Sequence, residues 1–216
     1  MFRPMLAKPD VLDDEDLDPW SGALDAGFVI EDARVSGTFE EVRAAGGQIL
    51  RSRLDRVGLT GARLRSLALT DVVADGLEAS GADWSGATLR RVEFVGARLV
   101  GLQFVEASAS DVAFRNCRLE LSTWRGAKLR EVLFDGCILD EADFYGAQLQ
   151  AVRFEGCRLL RADFSSARLA RVDLRGSELD PVGDVNGLRG ATIDSVQLAT
   201  LAPLLAHAAG LKIDDD

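Results

Sequence analysis

One histidine (His207), three cysteines, five prolines and one tyrosine in 216 residues exclude several kinds of chemistry. A single His removes most metal-ligand sets and most His-based acid–base schemes. Three Cys are too few for a disulfide framework and suit a reducing compartment. No apolar run approaches the ~20 residues that cross a bilayer. Met1 to Asp18 lacks the basic start and apolar stretch of a signal peptide. The expectation is a cytoplasmic protein with no membrane partner. Walker A loops, dinucleotide fingerprints and nucleophile elbows are also missing, so neither catalysis nor a cofactor or small-molecule substrate is expected. What is present is the composition of a folded chain, 47% hydrophobic and 28% charged, with a net charge of −10 that disfavours direct nucleic-acid binding.

A five-residue register dominates the sequence. It runs without insertion from Ile49 to Leu179, giving 27 centres of which 24 are large and apolar, the others being Ala74, Ala79 and Ala109. Two residues before each centre stands a small or apolar residue: Ala, Val, Leu, Cys, Ser or Gly. None of these 54 positions is charged, although a chain that is 28% charged would place about 15 charges there. Five matches neither the 3.6-residue helical period nor the strand period of 2. The chain must therefore turn every five residues, burying two side chains each time. Glycine recurs two residues after the centre, as at Gly96 and Gly136, where a corner with positive φ favours it.

A period of twenty lies inside the five. One column contains Phe94, Phe114, Phe134 and Phe154; another contains Leu99, Leu119, Leu139 and Leu159; a third contains Phe104, Trp124, Phe144 and Phe164. The remaining column carries Leu89, Leu129, Leu149 and Leu169. Twenty residues thus make one coil with four sides, and like side chains stack on like at the ~4.8 Å spacing of adjacent strands. The predicted fold is an all-β solenoid, four-sided, of about eight coils. Cys117, Cys137 and Cys157 share one inward column with Val57, Ala97 and Ser177, which makes them small core residues rather than metal ligands. Asp143 and Asp163 stack on one outer side, where an Asp between two inward residues bonds local backbone amides.

The ends differ from the middle. Residues 1–27 form an acidic segment, expected to be flexible, with a run from Asp10 to Asp18 flanked by Pro9 and Pro19. Such a run is a solvated tail or a docking segment for a basic partner. Repeat spacing starts at Ile30 and Val35, then slips by one residue to Phe39 and Ala44, where a bulge is expected. The solenoid spans 28–193 and breaks near Pro181; pentad spacing resumes at Leu188 and Ile193. Over 194–216, Asp194 reads as the N-cap of a helix carrying Val196, Leu198, Leu201, Leu204 and Leu205, which would cap the last coil and join two copies. Pro203 predicts a kink or restart in it. Residues 1–48 hold 4 basic and 11 acidic side chains, 49–193 hold 20 of each, and 194–216 hold 1 and 4, so the rod is neutral and its tips are acidic.

Units such as Ala82-Asp83-Trp84-Ser85-Gly86, Ala142-Asp143-Phe144-Tyr145-Gly146 and Ala162-Asp163-Phe164-Ser165-Ser166 resemble the pentapeptide repeat family, whose consensus is A-[D/N]-L-x-x. The resemblance covers about two-thirds of the chain and implies a right-handed quadrilateral β-helix. The stretch Leu188 to Asp194 and its Ala/Leu-rich helix are similar to the C-terminus of the mycobacterial, gyrase-targeting, fluoroquinolone-resistance member of that family. That similarity implies a homodimer formed at the C-terminal end and a DNA-mimicking modulator or protector of DNA gyrase. The alternative is a rigid scaffold for another protein, since one side is locally basic and the rod has no projecting loop.

Overall fold

The computed structural model describes residues 6–13 and 15–212, apart from the side chains of 181 and 182. The outer parts of the two terminal segments, 1–5, 14 and 213–216, lie outside the described residues. Between Gln48 and Glu155 the strand residues pair with those twenty positions later in parallel register, as in Phe94↔Phe114↔Phe134↔Phe154. Strands such as Thr88–Val95, Ser108–Arg115, Lys128–Asp135 and Gln148–Glu155 cover two sides of the coil each. They bend midway, at Arg91, Asp111, Glu131 and Ala151, all with φ between +49° and +56°. The other two sides are joined coil to coil by single bridges, such as Arg98↔Arg118 and Gln103↔Thr123. The result is a parallel β-solenoid of about eight coils.

Every corner is left-handed whether or not glycine occupies it. Gly136 shows why glycine suits some of them: a Cβ there would lie 2.7 Å from Asn116 Oδ1 on the coil before. Leu121, at φ +59° and 55% exposed, accepts the same conformation without that freedom.

Two aromatic columns fill the interior. Phe94, Phe114, Phe134 and Phe154 stack at 4.8–5.0 Å between ring centroids, with planes within 6°. Phe104, Trp124, Phe144 and Phe164 form the second stack at 4.4–5.8 Å. Across the coil the two columns meet edge to face, as Phe114 does with Trp124 at 88°. Both arrangements satisfy the aromatic quadrupole. The indole of Trp124 donates to Ser122 Oγ at 2.8 Å, whereas Trp84 Nε1 has Ala82 in the corresponding slot and no partner among the described residues.

The end coils are one residue shorter than the middle ones. At the start Ile30 pairs with Ile49 and Val35 with Leu54, and the register shifts between Ser36 and Gly37. At the far end Val172 pairs with Ala191, and a second shift lies between Leu160 and Asp163. The segment before the first coil does not stay apart from it. Leu17 is buried, Asp18–Pro19 pairs with Ala33–Arg34, and Trp20 packs on Phe39 at 5.7 Å.

Candidate protein-interaction surfaces

At the C-terminal end a parallel ladder stops, leaving backbone carbonyls with no following coil to bond. Helix α1, Ser195–Ala208, solves this with one side chain. Gln197 donates through Nε2 to Leu174 O at 2.6 Å and to Ser177 O at 2.7 Å. Its Oε1 accepts from Asp194 N–H at 3.0 Å, while Asp194 Oδ1 accepts from the N–H groups of Val196 and Gln197. This capping box fixes the helix start, and the same amide closes the rod. Backbone amides of Gln197, Gly176 and Val196 hold the Asp194 carboxyl below its ordinary range. Sequence reasoning missed Gln197, although the D-x-x-Q pattern from Asp194 to Gln197 was its signal.

Of the apolar residues expected to cap or join, only Leu201 is buried, at 1% exposure. Val196 is 75% exposed, Leu198 51%, Leu204 37% and Leu205 39%. The helix runs through Pro203 as a single element. Between α1, the 3-10 turn Val185–Leu188 and the last coil lies a hollow of about 410 Å³, lined mainly by apolar side chains including Leu188, Ile193, Leu201 and Leu205. The described end of the rod is thus apolar beyond what capping uses. His207 sits exposed in the last helical turn.

The long sides differ in charge. On the side carrying Leu89 and Leu129, the outward columns running from Thr88 to Arg168 and from Thr70 to Ala170 hold Arg90, Lys128, Arg130 and Arg168 and no acid. Its edge is the corner column with Asp71, Asp111 and Glu131. Elsewhere arginines pair between coils, Arg115 with Asp135 at 2.8 Å and Arg65 with Asp83 at 2.7 Å. Exposed pairs of this kind contribute about 0–1 kcal/mol each, so they set surface pattern more than stability.

The remaining candidate groups are buried or bonded locally. Phe94 to Phe164 in the two aromatic columns, Leu99, Leu119, Leu139 and Leu159 are all at most 1% exposed. Cys117, Cys137 and Cys157 donate through Sγ to the carbonyls of Phe94, Phe114 and Phe134 at 3.2–3.6 Å, and Ser177 Oγ continues the column onto Phe154 O. The three stacked thiols titrate together: bonding to Cys137, with burial, pushes Cys117 and Cys157 far up, while the same bonds hold Cys137 down. Asp143 and Asp163 accept from the N–H groups of Tyr145 and Ser165 at 2.9 and 2.8 Å, a local turn rather than a paired acid–base site. Among the described residues no group of His, Cys, Asp and Glu could hold a metal, and no helix is long and apolar enough to cross a membrane.

Flat sides, left-handed corners and a coil of twenty residues define a four-sided parallel β-solenoid. Residues 80–144 and 111–182 match the family model described as Pentapeptide repeat region, so the chain carries a pentapeptide repeat region over 80–182. Similar solved structures include HetL, a pentapeptide repeat protein involved in heterocyst differentiation regulation from the cyanobacterium Nostoc sp., at 19% identity over 79% of this chain and 89% of that one, with a TM-score of 0.41. Full-length QnrB1, a plasmid-mediated fluoroquinolone resistance protein, is 21% identical over 82% of this chain and 98% of its own, with a TM-score of 0.36. No curated protein matches the chain.

Proposed function

We propose that the protein is a non-catalytic binding rod that pairs with a second copy through its C-terminal end and presents its sides to another protein. The observation that carries this reading is the apolar surface left on helix α1. Leu198 and Leu205 remain exposed on one side of the helix, Leu205 lining the 410 Å³ hollow, while the helix needs only Gln197 and Leu201 to close the rod. Contiguous apolar surface on an otherwise polar protein is contact surface, and a self-complementary end patch suits a two-fold dimer. Sedimentation equilibrium at micromolar concentration tests it. The parent chain is expected to be a dimer, and Leu198→Glu/Leu205→Glu a monomer with unchanged far-UV circular dichroism. A monomeric parent contradicts the pairing.

A second reading makes DNA gyrase the partner. The acidity at both tips favours it, since 1–48 carry 11 acids against 4 bases and 194–216 carry 4 against 1. The side without acids weighs against whole-rod DNA mimicry and for an ordinary protein partner. Gyrase supercoiling with and without fluoroquinolone, at up to tens of micromolar rod, separates the two. Inhibition or protection supports gyrase; no effect leaves the scaffold. Retention of duplex DNA at low salt is not expected in either case.

A further inference from the structure

One side of the rod is covered by the beginning of the chain. Leu6–Asp10 does not join the coils but crosses them. Ala7 N–H donates to Asp111 Oδ1 at 3.1 Å, and Asp10 N–H donates to Asp71 Oδ1 at 3.0 Å. Asp71 and Asp111 stand in one corner column, both left-handed, two coils apart. Two coils rise ~9.6 Å at ~4.8 Å each. An extended chain rises ~3.1–3.4 Å per residue, so three residues span ~9–10 Å. Backbone donors three residues apart therefore meet every second rung. Pro9 suits the gap between them, because it holds Lys8 extended and brings no N–H that would need a partner.

The carboxylates are set for this task. Arg91 grips Asp71 through both oxygens, which fixes its orientation and leaves a lone pair on Oδ1 for Asp10. Beneath the segment, outward-pointing Val73 and Ala113 form an apolar floor, and Ala113 is only 5% exposed. Glu93 and Arg115, paired at 2.7 Å, line the same place. About 300 Å³ of space remains between segment and floor. The segment is held at two points by its backbone while its middle is loosely seated.

We propose that the Asp71–Asp111 column and its floor form a binding site for an extended peptide, and that the N-terminal segment is the built-in occupant. Recognition runs through main-chain N–H groups, so the ligand class is any extended segment offering donors three residues apart. The tether gives the occupant an effective concentration on the order of millimolar, which keeps the site closed to competitors until the segment leaves. This holds whichever protein the rod binds.

The test uses the full chain. Ala7→Pro/Asp10→Pro removes both donors and leaves the rod untouched. The probe is a labelled synthetic peptide of residues 1–18, followed by fluorescence anisotropy. Saturable binding to the double-Pro variant is expected, with binding at least about tenfold weaker to the parent, whose site is occupied. Adding Asp71→Gly and Asp111→Gly should weaken binding by about tenfold or more, with the left-handed corners kept because glycine adopts them freely. Absence of saturable binding to the double-Pro variant, or equal binding after both carboxylates are removed, overturns the proposal. Amide exchange supplies a second readout: Ala7 N–H should be protected in the parent and lose about tenfold or more of that protection in Asp111→Gly, with rates across 84–164 unchanged. An unprotected Ala7 amide in the parent also overturns it.

Discussion

A middle coil of this rod takes twenty residues, whereas the first and last take nineteen: Ile30 pairs with Ile49 and Val172 with Ala191, while Phe114 pairs with Phe134. In the middle, each coil has its backbone bonds and its apolar area completed by two identical neighbours. There the identity of a side chain follows from what lies above and below it, Phe on Phe and Cys on Cys. At the ends one neighbour is missing, and the chain completes itself by other means. Leu17 is buried and Trp20 packs on Phe39 at the first coil, whose register shifts by one residue, and Gln197 bonds carbonyls of the last. The lesson is a division of labour: repetition supplies rigidity, and the irregular parts, α1 and the crossing segment at Leu6–Asp10, are where surfaces for other chains appear.

Substitutions in the middle coils should cost the most. Phe134 stacks on both Phe114 and Phe154 and is fully buried. Phe134→Ala should destabilise by about 3–5 kcal/mol in an equilibrium melt; an unchanged melt would mean that the stack is not what holds the rod. Next comes the end. Gln197→Ala leaves Ser177 O without the Gln197 amide and Leu174 O with only the Ser177 N–H, at about 1–3 kcal/mol for a buried polar group left unpaired, and the loss should be local, with faster amide exchange across 174–193 and none at 94–154. Uniform acceleration would deny that the ends are independent.

Smaller effects sharpen the picture within one column. Ser122→Ala removes the acceptor of Trp124 and should cost about 1–2 kcal/mol, while Ala82→Ser offers one to Trp84 and should add about 1 kcal/mol. Equal and opposite thermal shifts would support the slot equivalence; a loss from both would refute it. At the last coil, Arg175 holds the Asp173 carboxyl below its ordinary 3.8, with burial opposing and the Arg175 N–H assisting. Because the folded value is the lower one, the stabilisation is present above about pH 4 and is lost as pH falls through the folded value. Asp173→Asn should flatten that acid limb of the stability curve. Smallest of all, Leu121→Gly relieves a left-handed corner at an exposed site and should add a few tenths of a kcal/mol. A clear loss would show that Leu121 is held by contacts rather than tolerated.

Much of the middle was legible in the sequence because its rule is local and repeated. Five-residue spacing, the absence of charge at inward positions and the twenty-residue columns together specify sides, corners and stacking without reference to distant contacts. The ends were only half legible. The slip at Phe39 showed as a break in spacing, and Asp194 showed as a cap. Gln197 did not stand out, because its task is to satisfy carbonyls that exist only once the ladder stops, and hydrophobic pattern carries no record of backbone groups. The crossing segment was hidden for the same reason. Ala7 and Asp10 act through their amides, and an acidic, proline-flanked stretch reads as solvated whether or not its backbone is bound.

Native-state hydrogen exchange on the full chain tests the division between middle and ends most directly. The account predicts one slow, common opening free energy for amides across 84–164, with progressively lower values across 28–50 and 174–193, and a drop confined to 174–193 in Gln197→Ala. A single protection level from end to end, or ends more protected than the aromatic coils, would contradict it.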